Sequence, residues 1–287
     1  MSIEAFASHL GVSDRMVSKW EARGAGIQPR PVNQAALDTS LASSGPEVHE
    51  RFARLTTVPS DPAEQGSATP VLPRQDHRRH HTDGRQMALI EAGVFLSGPD
   101  NEPVWLAAYY IDVFPVTNAD YARFVAATKH PAPQHWPNGR CPAGLRDHPV
   151  VFVTWHDATA YARWAGKALP TSLQWEKAAR GPRGHLYPWG DRPTPAKCNS
   201  REGGIGSTTP VDRYHSGVSP YGVYDLCGNT WEWCSDEPEP GRRELKAGAF
   251  TSPFARAAPS AYNDAAETML DDDTGFRCCS TDLEASS

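Results

Sequence analysis

The sequence predicts an α+β domain from residue 87 onward, with a small all-α segment at the N-terminus. Three observations carry this prediction. From Met87, short apolar runs such as ALIEAGVFLSG and HPVVFVTW alternate with stretches of helical period, and both are punctuated by Trp and Pro. Residues 1–24 place Phe6, Leu10, Val12, Val17 and Trp20 at helical spacing around Gly11. Between the two regions, residues 56–86 are rich in Pro, Ser, Gly and charge and show no apolar period, which reads as a flexible linker. The expected organisation is therefore 1–55, helix-turn-helix-like; 56–86, linker; 87–280, the main domain; and 281–287, a disordered tail.

Composition bounds the function. Of 287 residues, 39% are hydrophobic and 22% charged, enough for a sizeable core. With Lys plus Arg at 28 against 34 acids, the net charge of −6 excludes a protein that holds nucleic acid by its overall field, so any DNA contact is local. No apolar run is long enough for a membrane span, and Met1 leads directly into polar, helical sequence, so a cytoplasmic chain with reduced thiols is expected. Six cysteines, Cys141, Cys198, Cys227, Cys234, Cys278 and Cys279, show neither CxxC spacing nor a Cys-His zinc pattern.

In the N-terminal segment Ser13 is placed as an N-cap and Gly11 as the turn between two helices. A small Ala7, Gly11 four residues on and Val17 six after that resemble the Cro/C1-type repressor motif. The resemblance implies that Asp14, Arg15, Ser18 and Lys19 face outward on a recognition helix, within reach of bases or phosphates; a DNA-binding role would in turn predict a dimer, because one small recognition helix supplies little affinity. Repressor domains begin with a further helix, and only two residues precede Ile3 here, so a truncated start or a remnant is expected, and a packing helical hairpin with no DNA role stays open as the alternative. Within the linker, the HRRHH tract of 77–81 is read as solvated and given no function.

Three helices are expected in the main domain. TNADYARFVAAT (117–128) opens on a capping residue, WHDATAYARWAGK (155–167) repeats the pattern, and in LPTSLQWEKAARG (169–181) Thr171 and Gln174 form a capping box with Gly181 at the exit. The stretch YGVYDLCGNTWEW (221–233) is the least ordinary. Asp225 and Glu232 lie among aromatics, and buried carboxylates need backbone N–H groups, basic side chains or a cation. Two carboxylates with nearby carbonyls suit a hard Ca²⁺ ion; pairing with Arg is the competing answer.

Taken in order, GVFLSG, YYIDVFPVTNADYARFV, HPVVFVTWHDATAYARWAGKALPTSLQWEKAARG, YPWG, TPVDRY, SPYGVYDLCGNTWEW and TGFRC resemble the successive signatures of the formylglycine-generating enzyme (sulfatase-modifying factor) family. The resemblance covers about residues 87–280 and implies a C-type-lectin-like fold of low regular secondary structure. It also implies a structural calcium site on the side chains of Asp225 and Glu232 and the carbonyls of Gly228 and Thr230. A second calcium site would use Asn199 and the carbonyls of Ser200 and Ile205, but the family's Asp falls at Gly203, with Glu202 beside it.

The family's chemistry does not carry over so readily. Its oxidases hold Cu(I) between two thiolates, one shortly after an RGGSF-like strand and one five residues later, and use it with oxygen to oxidise a substrate cysteine. Here the strand is KAGAF (246–250) and the matching positions are Ser252 and Ala257, so copper is not expected. Cys278 and Cys279, adjacent in an apparent strand, are expected on opposite faces; Cys227, Cys234 and Cys278 read as buried small hydrophobes, and Cys141 as the most exposed thiol. Wider relatives use nonheme iron with a His-x-x-x-His helix, which is not evident here. A site built from His135, His148 and His156 stays open.

Two functions compete. One is a DNA-binding regulator or interaction protein whose main domain recognises a peptide or small molecule without a copper thiolate pair. The other is a metal-dependent oxidoreductase of the same family with altered ligation. For the oxidoreductase, Ser252, Arg256 and Arg277 are the candidate pocket residues, although Arg277 equally suits a buried salt bridge.

Overall fold

Thr117, Thr154 and Thr171 each stop an extended segment and start a helix. Their hydroxyls accept from the N–H groups of Asp120, Asp157 and Gln174, whose side chains return the bond to the cap N–H. The three helices are α1 (Asn118–Thr128), α2 (Trp155–Trp164) and α3 (Ser172–Arg180). Each box satisfies two otherwise orphaned donors, which lets helices of 11, 10 and 9 residues start at fixed points. Gly181 ends α3 at φ 67°, and a Cβ there would lie 2.9 Å from Pro220 Cγ.

These elements come from a computed structural model that describes residues 77–282, all within one unit spanning Asp76–Ser287. The helix-turn-helix reading, with Asp14, Arg15, Ser18 and Lys19, lies outside the described residues, as does the tail from 283.

The strands are short. β1 (His77–Arg79), β2 (Gln86–Ile90), β5 (Tyr109–Asp112) and β10 (Cys279–Ser280) form an antiparallel sheet in that order. β3 (Gly93–Ser97) and β4 (Glu102–Leu106) make a hairpin. A third sheet runs β8 (Asn263–Ala266), β7 (Arg242–Lys246), β6 (Trp231–Trp233), β9 (Thr274–Gly275), with β6 and β9 parallel.

Two expectations need correction. The linker ends before residue 86, because His77, Arg78 and Arg79 pair with Ala88, Met87 and Gln86. An edge strand tolerates charged side chains: Arg78 stacks 3.7 Å from the centre of the Tyr110 ring, and His77 Nε2 bonds Tyr221 O at 2.9 Å. His80, just past the strand, is buried. The first three residues of the HRRHH tract thus belong to the sheet. HPVVFVTW, conversely, is not a ladder strand. Phe152 takes φ 56° and turns its N–H to Asp271 O, leaving only an isolated bridge between Thr117 and Pro149.

Two apolar cores result. In the first, Tyr121, Phe124 and Trp136 from α1 and the loop after it meet Tyr161 of α2, Trp233 and Phe276. Tyr121 and Tyr161 stack at 5.9 Å, with Phe276 edge-on to Tyr161 at 5.3 Å. In the second, Ile90, Tyr109, Ile111 and Trp175 pack with Leu226 and Cys234. Cys278 belongs to the first core and Cys279 to the second, so the adjacent cysteines do face apart.

Candidate functional site

Trp231–Trp233 is buried on both sides, so the Glu232 carboxylate between two tryptophans needs donors. Arg277 supplies them: its Nε is 2.6 Å from Oε2 and its Nη2 2.7 Å from Oε1, while Trp175 Nε1 donates to Oε2 at 2.7 Å. The remaining Arg277 donors reach Tyr224 O, Asp112 O and Val113 O at 2.8, 3.1 and 3.4 Å. All five guanidinium N–H groups are therefore used. Arg277 is a fully buried partner of Glu232 and not a pocket residue, and the charge of Glu232 is matched by arginine, which takes the second carboxylate out of the calcium set expected here.

Asp225 is different. It sits at φ 54° in a turn and accepts from Asn229 Nδ2 at 2.7 Å. Burial first, then the charges of Glu232 and Asp212, push its carboxyl up to about 8 against the help of Asn229 and Arg277. Asn229 joins this turn to the other expected calcium loop. Its Oδ1 accepts from Asn199 Nδ2 at 3.1 Å and Thr209 N at 2.9 Å, and its N–H donates to Asn199 O at 2.8 Å. Asn199 Oδ1 is buried with no partner among the described residues, an oxygen a cation would satisfy. The rest of both sets fits less well. Gly228 O accepts from Thr230 N at 3.0 Å, and Ser200 O from Gly203 N at 2.9 Å. Ile205 is half-buried, and the Glu202 carboxylate is spent on Phe254 N at 2.9 and 3.0 Å and on Ser200 Oγ at 2.9 Å.

The segment after β7 completes this face. Ala247 and Gly248 turn at φ 84° and 68°, and a Cβ on Gly248 would lie 2.9 Å from Ala257 Cα, so the chain doubles back on itself. Ser252 is buried; its Oγ accepts from Ala249 N at 3.1 Å and its carbonyl from Arg201 N at 2.9 Å. Ala257 is fully buried with Phe254, Cys198 and Cys227. Above them Tyr187 stacks on Phe254 at 4.9 Å and on Trp189 at 5.2 Å, both half-exposed. Arg256, on the same turn as Phe254, is exposed. Three loops, 198–203, 225–230 and 249–257, thus meet under an aromatic shelf. Sequence reasoning missed Tyr187 and Trp189, whose signal was the YPWG run itself.

A thiolate copper centre does not fit the positions expected for it: a turn-capping hydroxyl and a methyl group stand there, and neither is a soft donor. The three histidines considered for iron lie in separate surroundings. His135 packs on Phe152 at 5.0 Å, His148 Nδ1 bonds Thr208 Oγ1 at 2.9 Å, and His156 faces Glu267 at 3.4 Å. Cys227, Cys234 and Cys278 are buried as expected, with burial pushing each thiol up, and Cys141 is half-buried. Among the described residues no helix is long and apolar enough to cross a membrane.

The sequence and the fold both find relatives. The chain is 36% identical over 62% of its length to a formylglycine-generating enzyme of Streptomyces coelicolor, covering 74% of it. It is 31% identical over 70% of its length to the inactive C-alpha-formylglycine-generating enzyme 2 of Mus musculus, covering 87% of it. The structure of PvdO from Pseudomonas aeruginosa shares the fold at a TM-score of 0.61 and 20% identity, over 71% of this chain and 97% of that one. Residues 73–281 match the sulfatase-modifying factor enzyme 1-like domain, and the chain belongs to that family, which holds active and inactive formylglycine-generating enzymes alike.

Proposed function

We propose that the domain of residues 77–282 is a recognition module for a peptide or small molecule, one that has kept the family scaffold and dispensed with the copper thiolates. In the full chain the N-terminal segment brings it to DNA or to a protein partner. The observation that carries this reading is the pair Ser252 and Ala257: the first spends its hydroxyl on Ala249 N, and the second is packed against the Gly248 turn. Fold and chemistry are separable, so a scaffold can keep its binding face after losing its metal. The mammalian relative called inactive supports this. The binding face is the shelf of Tyr187, Trp189 and Phe254 with Arg256 beside it.

Calcium enters as part of the scaffold, at Asp225 and Asn199, where a buried carboxyl and an orphaned amide oxygen lie at either end of Asn229. Asp14, Arg15, Ser18 and Lys19 would meet the nucleic acid, from a dimer, because one short helix supplies little affinity.

Two measurements test this. Supplied with Cu(I), oxygen and a cysteine peptide of the sulfatase type, the full chain is expected to leave the cysteine mass unchanged; conversion to the aldehyde would overturn the reading and restore the oxidoreductase, which the 36% identity to the Streptomyces enzyme favours. Duplex binding by the full chain is expected to weaken with salt and to fall in Arg15→Ala and Lys19→Ala. Binding indifferent to both changes would remove the DNA role.

A further inference from the structure

Cys198 and Cys227 are 3% and 2% exposed and share one apolar cluster with Phe254 and Ala257. Their separation in sequence hides a junction at which two backbones touch. The residue after Cys198 accepts from Asn229 N at 2.8 Å through Asn199 O, and a Cβ placed on Gly228, the residue after Cys227, would fall 2.4 Å from that same oxygen. Glycine at 228 is what permits the approach. Both cysteines leave the junction from the position just before it, and both side chains are buried in the same apolar cluster. Tyr187 and Trp189 roof the pair.

We infer that Cys198 and Cys227 form a reversible dithiol–disulfide pair, a modification site at which a two-electron oxidant such as hydrogen peroxide staples the 198–203 loop to the 225–230 turn. One thiolate attacks a peroxide oxygen; the O–O bond breaks, giving a sulfenic acid and, after protonation, one water. The second thiol attacks the sulfenic sulfur, the S–S bond forms, and the hydroxyl leaves as a second water. Two S–H bonds and one O–O bond are consumed, and the peroxide takes the two electrons. A disulfide requires Cα atoms about 4.4–6.8 Å apart, and the contact of Asn199 O with Gly228 and Asn229, each next to or near a cysteine, draws the two backbones together at this point. Other cysteines lack such an arrangement: Cys278 and Cys279 face different cores, and Cys234 lies in the second core.

Burial pushes the Cys227 thiol up, and the thiolate is the nucleophile. Oxidation is therefore expected to be slow at neutral pH and to accelerate as pH rises. The staple would lie directly beneath the aromatic shelf. It depends on neither the DNA reading nor the absence of copper.

The test uses the reduced, folded full chain treated with hydrogen peroxide, blocked with an alkylating reagent and digested with trypsin and chymotrypsin. The second protease cuts at Trp231 and Trp233 and so separates Cys227 from Cys234. One linked pair of peptides, joining Cys198 to Cys227 and lighter by two hydrogen atoms, is expected, and dithiothreitol should release it. Cys198→Ser and Cys227→Ser should each abolish it while the oxidised wild type unfolds at a higher denaturant concentration than the reduced form. Recovery of both residues as alkylated thiols or as separate oxygenated acids, or a link from either to a different cysteine, overturns the proposal. The peptide map of the wild type decides the matter even where a serine variant does not fold.

Discussion

Arg277 lies flat against Glu232, donating to both carboxylate oxygens at 2.6 and 2.7 Å, with neither side chain reaching solvent. The pair ties β6 to the segment following β9 and, through the carbonyls of Asp112 and Val113, to the end of β5. Removing one member leaves the other charged and buried. Arg277→Gln is expected to destabilise the domain by about 3–5 kcal/mol, read from urea unfolding. Arg277→Lys should recover only part of this, because an ammonium cannot offer the two-pronged geometry. Full recovery by lysine would show that charge alone matters here.

A second cluster joins the first sheet to the end of α2. Lys167 Nζ is 2.8 Å from both Asp83 Oδ2 and Asp112 Oδ1, and Arg85 bonds Asp112 at 3.2 Å and also pairs with Asp120. Burial pushes the Asp83 carboxyl up, but His80 and Lys167 more than reverse this and hold it well below the usual range. A depressed carboxyl contributes stability that is present above its unfolded value near 3.8 and is lost as pH falls below it. Asp83→Asn should therefore flatten the acid limb of the stability curve, followed by tryptophan fluorescence, while Lys167→Met destabilises at neutral pH by several kcal/mol.

Lys197 offers the opposite sign. Its ammonium lies 5.8 Å from the Trp189 ring, and burial, then Arg192, bring it down from 10.5 to about 8. Below about 8 the charged form is present in both folded and unfolded chains and its burial costs stability; between about 8 and 10.5 the folded chain sheds the proton first, so stability recovers as pH rises. Lys197→Met is expected to gain on the order of 1 kcal/mol at neutral pH, after allowance for solvent screening. That gain should shrink toward pH 10.5. A gain independent of pH would point to packing instead.

Calcium binding is expected to raise the unfolding midpoint of the wild type, a stabilisation of about 2.7 kcal/mol at a hundredfold excess over Kd. Asp225→Asn and Asn199→Ala should each remove most of that rise. Chelator should reverse it. If the midpoint ignores calcium, the orphaned oxygen of Asn199 has a different partner, such as an ordered water.

The sequence by itself determined the helices and their starts, because a capping box is local: Thr171 and Gln174 need only the backbone between them. It determined the family too, and with it the loss of sulfur at Ser252 and Ala257, since a motif in order is a one-dimensional fact. What only the tertiary structure decided were the matches between distant groups. Arginine or calcium for Glu232 was open until Arg277, forty-five positions away, was seen to fill it. The His77–Arg79 strand was invisible because its three side chains are all polar and, at a sheet edge, carry no apolar alternation. The meeting of Cys198 with Cys227 depended on a glycine lying against a carbonyl. Short-range hydrogen bonds are written in neighbouring letters, whereas long-range charge pairing and close backbone contact exist only once the chain has folded.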